Sequence, residues 1–85
     1  MDKRKDIAER IEDFIVKKFH IDREHEGFSK TCNLFDEGFV DSMGLIRLIT
    51  FLEGEFHVRI EEEHFFDERL LSIEGESRLI LELME

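Results

Sequence analysis

Apolar residues recur at helical spacing in three separated stretches of this chain, and that spacing constrains the fold more than any other feature. In residues 2–19, Ile7, Ile11, Phe14, Ile15 and Phe19 follow one another at steps of four, three, one and four, while Lys, Arg, Asp and Glu fill the other faces. The pattern predicts an amphipathic helix, with Asp2 or Asp6 serving its amino end and Lys17 and Lys18 its carboxyl end. A second helix is expected from Asp41 or Ser42, either of which can cap it, to about Phe56. Leu45, Leu48, Ile49, Leu52 and Phe56 form its inward stripe, and Met43, Ile46 and Thr50 fall on a neighbouring face with Arg47 and Glu53. A third helix is expected over 73–84, capped by Ser72. There Ile73, Ser77, Ile80 and Met84 share one stripe, Leu79 and Leu83 widen it, and Gly75 slightly weakens the first turn.

Between the first two helices, residues 20–41 lose this periodicity over a length unusual for a connection. Phe28, Leu34, Phe35, Phe39 and Val40 are candidate pins for the loop, Gly27 and Gly38 supply its turns, and Asp22 to Lys30 is expected to be mobile. After the second helix, Val58 and Ile60 are expected to pack inward from an extended connection too short and isolated to found a sheet. Glu61-Glu62-Glu63 reads as a solvated acidic run, and Asp67 suits the start of a short helical turn through Leu71 with Phe66 and Leu70 buried. An 85-residue chain leaves room for one domain, residues 1–85. The expected fold is all-α, with three main helices, one short helix and a long first loop.

Charge narrows the partners. The formal net charge is −10, and residues 28–85 carry fourteen Asp/Glu against five Lys/Arg. A field of that sign repels phosphate backbones and anionic lipid and favours basic surfaces on other proteins, so nucleic acid is not an expected partner. No apolar run reaches signal or transmembrane length, which makes the cytoplasm the expected compartment and membrane insertion unexpected. Cys32 is the one cysteine, so no internal disulfide forms, and it reads as an incidental free thiol.

One stretch carries the chemistry: Leu34-Phe35-Asp36-Glu37-Gly38-Phe39-Val40-Asp41-Ser42-Met43-Gly44-Leu45, a polar turn running into an apolar helix with Ser42 at the join. A hydrolase nucleophile would require Gly-x-Ser-x-Gly after a strand; only Gly44 matches, and no strand precedes it. None of the four histidines stands in a recognisable partner motif for this serine, so autonomous catalysis is not expected. As a calcium loop counted from Asp36, the stretch places Asp41 sixth, where glycine is required, and His20, His25, Cys32, His57 and His64 lack zinc-ligand spacing. No metal site is expected. What remains is a hydroxyl at a helix amino terminus, where unpaired amides and the helix dipole stabilise a phosphate ester. The same residues equally describe a plain capping serine, and the physics does not choose between the two.

The segment from Leu34 to Met43 resembles the attachment signature of acyl and peptidyl carrier proteins, roughly Leu-Phe-x-x-Gly-h-h-Asp-Ser-Leu/Met with h apolar. The similarity continues through Leu45, Leu48, Ile49, Leu52, Glu53 and Phe56, and more loosely to Ser72-Ile73. The resemblance implies a four-helix carrier bundle, monomeric and not itself an enzyme. Its Ser42 would receive 4′-phosphopantetheine from coenzyme A through a separate phosphopantetheinyl transferase. It implies that Asp41 is read by the transferase, and that Met43, Ile46, Arg47, Thr50 and Glu53 form the surface on which acyl-loading ligases or synthases dock. Housekeeping fatty-acid carriers usually show acids where this chain has Gly44 and Arg47, which points to a specialised acyl, aminoacyl or polyketide carrier. The reading from another class is a non-covalent acidic adaptor that binds a partner helix through Met43 and Ile46.

Overall fold

The computed structural model describes residues 2–85, and all the regular structure among them is helical. Helix α1 spans Lys3–Lys18, α2 spans Ser42–Phe56 and α3 spans Ile73–Met84. Two short 3-10 turns, Glu62–His64 and Glu68–Leu71, lie between α2 and α3. The second is the expected short helix, capped by Asp67, whose side chain accepts from the Arg69 amide. The first has no counterpart in the sequence pattern: the acidic run is exposed, but it folds into a turn closed by the Glu61 amide donating to His64 Nδ1 at 3.1 Å.

The apolar stripes meet as their spacing requires. Ile11, Ile15, Leu48, Leu52, Leu70, Ile73, Leu79 and Ile80 are almost wholly removed from water, and α3 packs chiefly on α1 and on the second 3-10 turn. Each fully buried Leu or Ile stabilises by about 1.5–3 kcal/mol relative to an exposed one. Several placements differ from expectation. Ala8 is buried, while Phe14 and Phe19 are only half-buried; Phe14 instead stacks on Phe51 of α2 with centroids 3.9 Å apart. Phe66 is 93% exposed, and Met84, at the last turn of α3, is also exposed. Leu45 is half-buried. Glu76 lies fully inside, on the stripe read as Ile73, Ser77 and Ile80.

The long loop is tethered rather than free. His20 takes the left-handed conformation (φ 55°) after α1, and the Ile21 amide reaches back to the Val16 carbonyl at 3.0 Å, which ends the helix and buries Ile21. Arg23 pairs with Glu12 and Asp13. Phe28 and His25 both meet the Phe39 ring edge-on. The Glu74 amide donates to the Lys30 carbonyl and the Leu34 amide to the Leu71 carbonyl, each at 2.8 Å. These ties hold the loop against the start of α3.

Candidate functional site

The turn ahead of Ser42 is built by one asparagine and one leucine. The Asn33 side-chain oxygen accepts from the amides of Phe35 and Asp36 at 3.0 Å each, and the Leu34 carbonyl accepts from Phe39 at 2.9 Å and Val40 at 3.2 Å. Leu34 and Val40 are buried, and between them Gly38 takes φ 79°, a conformation that side chains rarely adopt. The buried pair fixes where the chain leaves the core and enters α2.

Asp41 is the cap. Its backbone is extended, its carboxylate accepts from the Gly44 amide at 2.8 Å, and its carbonyl accepts from the Leu45 amide at 2.9 Å. Ser42, the first residue of α2, therefore does not have to cap the helix. It is exposed, and its hydroxyl makes no hydrogen bond among the described residues. No acid stands in the first turn of α2. A phosphodiester on the Ser42 oxygen would sit at the positive end of the helix with first-turn amides to stabilise it, so the residues present fit a phosphopantetheine ester.

Beside Ser42 opens an apolar cleft of about 310 Å³, walled by Phe35, Leu45, Phe65, Phe66, Leu70 and Leu71, with Asp67 and Glu68 at its lining. Phe65 and Phe66 are not readable from the sequence as part of the site; the signal is an adjacent pair of large apolar residues just ahead of the cap Asp67. The Asp67 carboxylate meets the Arg69 guanidinium at 2.7 Å, and these hydrogen bonds hold its carboxyl below the usual aspartate range. Arg69 also reaches Glu82 of α3 at 3.1 Å, which anchors the cleft wall to the bundle.

Met43 and Ile46 are 64% and 61% exposed, and Arg47 and Thr50 share the open side of α2 with them. Thr50 donates its hydroxyl to the Ile46 carbonyl at 3.0 Å. Glu53 is half-buried and accepts from the Ile60 amide at 2.9 Å, holding the connection after α2. Gly44 faces inward: a Cβ there would come within 2.8 Å of the Phe19 ring and 3.0 Å of Val40. Position 44 therefore lies beneath the open side of α2, on which Arg47 is exposed. No histidine lines the cleft, and no group of three or more His, Cys, Asp or Glu gathers in a metal-holding arrangement among the described residues.

No curated protein and no solved structure matches the chain. A family model described as a phosphopantetheine attachment site matches residues 9–74. That span takes in α1 from Glu9 onward, the tethered loop, the whole of α2 and the capped start of α3. The chain therefore belongs to the phosphopantetheine attachment-site family: it is a small helical carrier of covalently held 4′-phosphopantetheine.

Proposed function

We propose that Ser42 is the attachment residue and that the protein is a specialised acyl carrier, loaded by dedicated ligases or synthases after a phosphopantetheinyl transferase has modified it. The observation that carries the reading is the division of labour at the helix start: Asp41 caps α2, so the exposed Ser42 hydroxyl stays free to be esterified. Phosphopantetheine supplies a flexible arm whose terminal thiol holds an acyl group as a thioester. The chain's own residues position and present that arm. The capped helix end stabilises the phosphate, Asp41 is available for recognition by the transferase, and Met43, Ile46, Arg47 and Thr50 offer a docking face, with Glu53 at its base. Tethering raises the effective concentration of cargo at each enzyme, and docking selects the enzyme.

The cleft supports an acyl cargo over an aminoacyl one. Its six apolar walls reward a hydrocarbon chain for leaving water, while the carboxylates of Asp67 and Glu68 stand at the lining rather than among those walls. Exposed Met43 and Ile46 would also suit a non-covalent adaptor, and one experiment separates the two. Incubation with coenzyme A, magnesium and a broad-specificity transferase, followed by intact mass measurement, yields one added phosphopantetheine on the wild type and none on Ser42→Ala. An unmodified wild type, or a modified Ser42→Ala, refutes attachment at this serine.

A further inference from the structure

A second groove, of about 380 Å³, runs between α1 and α2 and is lined by Phe14, Lys18, Ile46, Arg47, Thr50 and Phe51. Its apolar part includes the stacked rings of Phe14 and Phe51, and exposed Ile46 stands at its side. Its charge is opposite in sign to that of the molecule. Arg47 is the one charged residue between Ser42 and Leu52, and Lys18 closes α1 across from it. Arg10, Arg23, Arg59, Arg69 and Arg78 are all ion-paired, whereas Arg47 and Lys18, like Arg4 and the other lysines, pair with no acid among the described residues. The acids on the adjoining stretch of the same crevice are already matched, Asp13 by Arg23 and Glu55 by Arg10. An acidic chain thus keeps two unmatched cations around an apolar floor.

We infer that this groove seats an apolar side chain of a partner enzyme flanked by carboxylates. The apolar group would cover Phe14, Phe51 and Ile46 while the carboxylates meet Lys18 and Arg47, so this partner surface carries the reverse of the charge that the whole-chain field favours. The inference rests on the carrier reading, for which it names the chemistry of the docking partner. Specificity follows from the same feature: a strongly basic enzyme surface would be attracted by the net charge yet repelled at the groove.

Two synthetic amphipathic peptides test it, sharing one helical frame and one central Leu-Phe pair, flanked by Glu in the first and by Lys in the second. In amide NMR titrations at low salt, the Glu peptide is expected to shift the signals of residues 14–18 and 46–51. It should bind there about ten-fold more tightly than the Lys peptide. The double reversal Lys18→Glu with Arg47→Glu, both at exposed positions, should invert that order, and Arg47→Glu alone should narrow it. The inference is overturned if neither peptide perturbs the groove, if the Lys peptide binds it as well or better, or if the preference survives the double reversal. Failure of the carrier reading would appear separately, as absent phosphopantetheine mass on the wild type.

Discussion

Both carboxyl oxygens of Glu76 are buried in the core without a hydrogen-bond partner among the described residues. Burial disfavours the charged form and pushes this carboxyl well above its ordinary value of 4.5. The unfolded chain releases the carboxyl proton near the ordinary value. Over the interval between the two values the native state binds more protons, and this residue's contribution to stability falls as pH rises through it. Glu76→Met, similar in size and apolar, is expected to stabilise by about 1–3 kcal/mol near neutral pH. Its advantage should shrink towards pH 4, as thermal melts at both pH values will show; an equal gain at both would contradict the upward shift of Glu76. Spacing already puts residue 76 on the inward face of α3, three residues after Ile73 and four before Ile80. Its charge argues for the outside, and only the packing of α3 on its neighbours reveals that it is enclosed. Asp41 shows the opposite case: both it and Ser42 are legible as caps, and backbone geometry decides in favour of Asp41.

At the scale of elements, the helices are legible because their periodicity is local, and their bounds agree with expectation to within a residue or so. What is not legible depends on contacts between elements. Phe66 reads as the buried face of a short helix, yet the 3-10 turn begins only at Glu68, so the ring lies ahead of it along the cleft. The loop at 20–41 has no periodic signal because its pins are scattered, and two of its backbone bonds reach forward to Leu71 and Glu74 at the start of α3. Gly75 illustrates the same limit. On propensity alone, Gly75→Ala should stabilise a helix by up to about 1 kcal/mol. Here a Cβ would collide with the Arg69 carbonyl oxygen and come within 2.8 Å of its Cα, backbone atoms of the second 3-10 turn that cannot rotate away. Gly75→Ala is therefore expected to destabilise by about 1–3 kcal/mol, read by chemical denaturation. A neutral or stabilising result would contradict the close packing of the turn on α3.

Across the whole molecule, the cleft at Ser42 and the groove at Arg47 occupy different stretches of lining, sharing α2 but no residue. A carrier needs that separation, because cargo and docking partner must be accommodated at once. If the cleft shelters hydrocarbon, protein bearing an eight-carbon acyl arm should melt several degrees higher than protein bearing the bare arm, since about 1 kcal/mol shifts the midpoint by about 4–8 °C in a domain of this size. Equal midpoints would place the chain in solvent. All of this depends on one covalent bond. The most direct test is fragmentation of the transferase-treated protein in a mass spectrometer to locate the added group. Phosphopantetheine is expected on Ser42 alone; its appearance on Ser29, Thr31, Cys32 or Ser72, or on no residue, would refute attachment at this serine.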